Sequence, residues 1–113
     1  MKIEEVVKEI QGINGYRSLV ILKSSGEILY LDKDEKEIDL AFISSKFFDT
    51  FHTLNETTLD SGVSDLVRLE AETEDGVIFL LYKSKTHSIF TIFNPKGNIS
   101  LARIILSKSL KRM

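Results

Sequence analysis

The side chains of this sequence with which acid–base or nucleophilic chemistry could be attempted are two histidines, a set of serines and seventeen carboxylates. There is no cysteine, so a thiol nucleophile, disulfides and thiolate metal sites are excluded. His52 falls on a helix flank and His87 at the start of a strand. Neither has a spacing to a serine and a carboxylate that suggests a triad, which only geometry could establish. Two histidines without a local ligand cluster do not make a metal site. Asp32 and Asp34 stand at calcium-loop spacing, but the central glycine is missing and Ile43 stands where the closing glutamate belongs. That segment reads as a solvated charged turn. Ser24-Ser25-Gly26 is not followed by the Gly-Lys-Ser/Thr of a phosphate loop. "NPKGN", residues 94–98, offers one lysine before a helix start and reads as a plain turn. No residue is therefore assigned to catalysis, to a cofactor or to a metal, and no enzymatic activity is expected.

The totals narrow the class further. The chain has 113 residues, which suits one domain, 1–113. With 42% hydrophobic and 28% charged residues the balance is that of a folded globule, not a disordered chain. A formal net charge of -2 gives no electrostatic support to a nucleic-acid partner, and the basic tail from Lys108 is too short to argue for a membrane. No run approaches the roughly 18 apolar residues of a membrane span. Glutamates interrupt the N-terminal "MKIEEVVKEI" where a signal peptide needs an apolar stretch. A cytoplasmic protein is expected.

The elements follow from periodicity. Ile3, Val6, Val7 and Ile10 recur at helical spacing, and the helix ends at the glycines 12 and 15. "YRSLVILK" and "EILYLD" are strands joined through a tight turn at Ser25-Gly26, followed by a charged connection, 32–37. A second helix is predicted from Ile38 to about Leu54, with Asp39 near its start. Leu40, Ile43, Phe47, Phe51 and Leu54 form the stripe that should face a sheet. Ala41, Ser44, Ser45, Phe48 and His52 form a flank of mostly small residues that would let another helix approach. Phe42 points away from the main stripe and is a candidate for contact with a partner. Residues 55–65 are polar and read as a loop.

Three strands are then predicted at about 66–74, 77–84 and 87–93, the first two joined by a type I′ turn at Asp75-Gly76. Val67, Leu69 and Ala71 alternate with Arg68, Glu70 and Glu72, the pattern of a strand with one wet face near a sheet edge. Val77 to Tyr82 is unbrokenly apolar and belongs mid-sheet. Asn98 caps a last helix that runs to about Arg112. The fold class is α+β, an α-β-α sandwich in the order α-β-β-α-β-β-β-α. It has a five-stranded antiparallel sheet with one helix on one face and two on the other.

That order and these lengths resemble the Roadblock/LC7 family, a group with profilin-like and longin-like architecture. The likeness covers essentially the whole chain. It rests on "YRSLVILKSSGEILYL", "DLVRLEAETEDGVIFLLY" and "NISLARIILSKSLKRM". In the last of these, Ile99, Ser100, Leu101 and Arg103 occupy a Leu-small-Leu-x-Arg pattern, with serine where glycine is common. The resemblance implies a homodimer in which the strand after the second helix pairs with its twin. The two second helices would pack on one side. Here that places Val67, Arg68, Leu69, Glu70 and Glu72 at the strand contact, and Ala41, Ser44, Ser45, Phe48 and His52 near the helix contact. It also implies a non-enzymatic role, regulating or scaffolding a small Ras-like GTPase, as Mgl-type regulators do, or serving as a light chain, as in dynein. Two alternatives stand beside it: a PAS-like sensor of a small ligand, which needs an enclosed pocket, and a structural subunit of a larger assembly.

Overall fold

A computed structural model describes residues 3–32 and 38–113; most of the expected charged connection, with Asp34, lies outside the described residues. The elements are α1 (Ile3–Gln11), β1 (Tyr16–Lys23), β2 (Ile28–Asp32), α2 (Leu40–Asp60), β3 (Arg68–Glu72), β4 (Ile78–Lys83), β5 (His87–Phe93) and α3 (Ile99–Lys111). The five strands form one antiparallel sheet in the order β2-β1-β5-β4-β3. The sequence logic is visible in that order. The apolar runs of β1, β4 and β5 occupy the inner positions, where both faces are covered. The alternating β3 lies at an edge.

Alternate residues of each inner strand feed two separate cores. Leu19, Ile21, Leu80, Ile89 and Phe93 pack beneath α1 and α3, with Val6, Ile10, Ala102 and Leu106 from the helices. Val20, Leu22, Leu81, Phe90 and Ile92 pack beneath α2, with Leu40, Phe48 and Phe51. The sandwich therefore has one helix on one face and two on the other, as the sequence suggests.

Local chemistry fixes the corners. Asp39 accepts a hydrogen bond from the Phe42 amide at 3.1 Å, and Asn98 accepts one from the Leu101 amide at 3.1 Å, capping α2 and α3. Both hairpins, at 23–27 and 73–77, share one geometry. The Gly76 amide donates to the Thr73 carbonyl and the Thr73 amide to the Val77 carbonyl, while Gly26 and Lys23 repeat the pattern with Lys23 and Glu27. Only the glycine of each turn has positive φ, 89° at Gly76 and 93° at Gly26. This is a type I turn closed by a glycine bulge, not the type I′ turn expected at Asp75-Gly76, because Asp75 avoids the left-handed region. In the "NPKG" turn it is Lys96 that takes a positive φ, 69°. Gly15 is a steric necessity: a Cβ there would lie 2.4 Å from the Gly97 Cα, so the entry to β1 and the turn before α3 cross at backbone contact.

The second helix departs from expectation in length and in rotation. It continues to Asp60 through "NETTLD", a stretch whose polarity reads as loop. The polar side chains sit on its outer side, where Thr53 and Thr57 hydroxyls donate to carbonyls one turn back, at 3.2 and 3.0 Å. One residue of this segment, Asn55, is buried; it donates to Asp65 at 3.0 Å and accepts from the Leu66 amide at 2.6 Å, tying the helix to the lead-in of β3. The buried residues of α2 are Leu40, Ser44, Phe48, Phe51 and Asn55. Ser44 and Phe48, expected on the free flank, thus face the sheet of their own protomer, and Leu54, expected beneath the helix, is exposed. Phe48 fills the space over the β1–β2 turn, where a Cβ at Gly26 would come within 3.0 Å of its ring.

Candidate functional site

The outer edge of β3 is the surface that sequence and fold bring forward together. Its backbone divides cleanly. The Thr73 amide donates to the Val77 carbonyl and the Lys83 amide to the Val67 carbonyl, each at 2.9 Å. In an antiparallel ladder such bonded pairs recur at every second residue. The odd-numbered residues from 67 to 73 therefore bond inward to β4. The N–H and C=O groups of Arg68, Glu70 and Glu72 point outward, and among the described residues no further strand neighbours β3. Edge groups of this kind are ready to accept another strand.

On the α2 side, Leu69 and Ala71 of β3 and Lys46, Phe47 and Thr50 of α2 line an apolar groove of about 300 Å³. Phe47 forms its inner wall, with its ring 5.3 Å from that of Phe79 and 5.1 Å from that of Phe90. The groove runs along the free edge, so any strand added there would cover it.

On the opposite side, Arg68, Glu70 and Tyr82 form the floor of a wider groove of about 540 Å³, with Arg103, Ile104, Ser107 and Lys108 of α3 as its wall. Arg103 forks onto Glu70 through Nε and Nη2, at 2.9–3.2 Å. The Tyr82 hydroxyl donates to the same carboxylate at 3.2 Å. The Arg68 guanidinium lies 5.8 Å from the centre of the Tyr82 ring. Hydrogen bonds from Arg103 hold the Glu70 carboxyl below the usual carboxylate range, against a smaller opposing effect of burial. Burial, then the charge of Glu70, pushes the Tyr82 phenol up.

Because Glu70 is depressed in the folded state, its contribution is present above the ordinary glutamate pKa, roughly 4.3, and is lost as pH falls through its own lower value. Glu70→Gln should therefore reduce stability at pH 7 by no more than about 1 kcal/mol, since the pair is half solvated. Chemical denaturation at pH 7 and at pH 2–3 should show that difference shrinking in acid. A difference that persists in acid would assign the effect to packing.

The residues singled out in the sequence fall into two groups. Val67, Arg68, Leu69, Glu70 and Glu72 do share the β3 edge, Val67 standing 57% exposed just before the strand. The α2 set is split: Ala41 is exposed, Ser45 and His52 are half-buried, and Ser44 and Phe48 are inside. His52 is turned back on its own helix, with Nδ1 3.0 Å from the Phe48 carbonyl and its ring 4.3 Å from the Phe48 ring. Phe42 stands 60% exposed, with the Lys46 ammonium 5.5 Å from its ring. Sequence reasoning missed Phe47 and Thr50 as edge residues, because an error in helix rotation hides them. It also missed the Arg103–Glu70 fork, which joins residues 33 positions apart. Among the described residues, the histidines contact a main-chain carbonyl and a threonine, and no cluster of three His, Asp or Glu is placed to hold a metal.

No protein-family model and no curated protein matches the chain. Solved structures do. A Roadblock/LC7 domain from Streptomyces avermitilis superposes with a TM-score of 0.81 at 7% identity, covering 99% of this chain and 94% of that one. MglB, a gliding protein of Thermus thermophilus, gives 0.77 at 11% identity, covering 97% and 89%. An MglB in a tetrameric arrangement gives 0.82 at 11% identity, covering 96% and 82%. Likeness across nearly the whole of both chains at such low identity is likeness of fold.

Proposed function

We infer that this chain, which has the Roadblock/LC7 fold, is a non-enzymatic cytoplasmic module that pairs with a second copy through β3 and presents the composite surface to a small Ras-like GTPase. The observation that carries the reading is the β3 edge itself. It has outward N–H and C=O groups at Arg68, Glu70 and Glu72, beside an apolar groove formed by Phe47, Thr50, Leu69 and Ala71. A twofold pairing closes both with one operation.

Charge narrows the register. An axis at Leu69 or Glu70 sets Arg68 opposite a carboxylate of the second copy, Glu70 or Glu72 respectively. An axis at Ala71 sets Glu70 against Glu72 and is disfavoured. The helix contact accompanying either register is formed by the Phe47–Thr50 side of α2. Ser44 and Phe48, read from the sequence as helix-contact residues, are already used inside the protomer.

The GTPase assignment is supported by the resemblance to Mgl-type regulators and by the MglB neighbours in fold. Phe42, exposed near the start of α2, is the side chain offered to it. The test is calorimetric titration of the chain with each small GTPase encoded in the source genome, loaded with GDP and with a non-hydrolysable GTP analogue. Binding to one of them should depend on the nucleotide and should weaken about tenfold in Phe42→Ala, as loss of an exposed aromatic anchor does. A dimer that binds none of them in either state would leave the self-pairing and remove the GTPase.

A further inference from the structure

The face of the sheet that carries α1 and α3 is not fully roofed. α3 packs over β4 and β5 and reaches β3 through the Arg103 side chain, so the edge strand is less covered than its neighbours. The resulting groove is predominantly basic. Arg68, Arg103, Lys108 and Lys111 border it against Glu70 and Glu72, on a chain whose formal net charge is -2. Arg103 and Glu70 neutralise each other through the fork. Lys108 and Lys111 make no ion pair among the described residues, and Ile104 stands 53% exposed beside them.

Pairing of β3 with a second copy would place two such grooves side by side. Each α3 would then sit about two strand spacings from the axis, so the two α3 helices would be separated by roughly four spacings of ~4.8 Å, near 19 Å. A helix packed against another needs about 8–10 Å between axes. The gap is therefore one helix wide.

We propose that the trough between the two α3 helices is a docking site for a single acidic amphipathic helix of a partner protein, one per dimer. This rests on the β3-paired dimer inferred above. The occupant lays its apolar face on the two Ile104 side chains that flank the trough, and its carboxylates reach Lys108 and Lys111 on either wall. Ser107 on the groove side of α3 is small enough to let the helix come close. Since the trough straddles the twofold axis, one occupant excludes a second and makes a symmetric dimer asymmetric.

The experiment uses the full chain and a fluorescein-labelled peptide of about 18 residues with leucine on one helical face and glutamate on the other. A second peptide with lysine in place of glutamate serves as control. Anisotropy titration, with the protein's mass followed by light scattering, should show the glutamate peptide saturating at one per two chains and the lysine peptide failing to bind. Lys108→Glu with Lys111→Glu should weaken the glutamate peptide by at least about tenfold, and Ile104→Asp by a similar factor, with dimer mass and circular dichroism unchanged. A dimer that binds both peptides alike, binds two per dimer, ignores the charge reversal or binds neither overturns the trough alone. A chain that stays monomeric overturns the trough together with the pairing.

Discussion

Glu72→Pro should shift the protein from dimer to monomer on light scattering while its unfolding midpoint stays close to that of the parent. The N–H of residue 72 points away from β4, so proline removes nothing from the β3–β4 ladder. Proline is tolerated at an edge strand when its missing donor faces outward. In a twofold pair every loss counts twice. Two interchain hydrogen bonds at about 0.5–1.5 kcal/mol each, with two pyrrolidine rings in the path of the incoming strand, amount to a tenfold or greater loss of affinity. Thr73→Pro is the contrasting variant, because the Thr73 amide donates to Val77. It should lower the unfolding midpoint as well as the mass. A Glu72→Pro protein of unchanged dimer mass would remove β3 from the interface.

Phe48→Ala should cost on the order of 3–5 kcal/mol of stability in urea denaturation, as loss of a buried aromatic does. Phe47→Ala should cost less stability and more association. The two neighbours differ by their surroundings. Phe48 is 9% exposed, wedged among Leu40, Val20 and Leu22 over the Gly26 turn. Phe47 is half-buried, stacked on Phe79 and tilted against Phe90, with one side open to the β3 groove. If Phe48→Ala dissociates the dimer with little change in midpoint, the assignment of inner and outer sides of α2 is inverted.

The order of elements and the edge position of β3 were legible in the sequence because both depend on local patterning. Alternation at residues 67–72 against the unbroken run 77–82 distinguishes a strand with one wet face from one covered twice. The rotation of α2 was not legible. A helix with four phenylalanines offers two apolar stripes of similar strength, and which of them turns inward depends on tertiary contacts such as that of the Phe48 ring against Gly26. The end of α2 was misplaced for a related reason. Threonines and asparagine signal a loop when read alone, yet here the hydroxyls satisfy carbonyls one turn back and Asn55 bonds to Asp65 and Leu66. The Glu70–Arg103 fork depends on how α3 lies over the sheet, and no local pattern reports that.

The strand order has a consequence for how the molecule is made. β1, near the start of the chain, has β5 as its inner neighbour, with Tyr16 opposite Phe93. On a ribosome, the first hairpin emerges and waits while the whole of α2 and two further strands are synthesised. Pairings so remote in the chain slow folding and prolong the life of unpaired apolar strands. Until β5 arrives, "SLVIL" of β1 is a sticky nascent segment, so chaperone dependence and inclusion-body formation should track the elongation rate across residues 40–93.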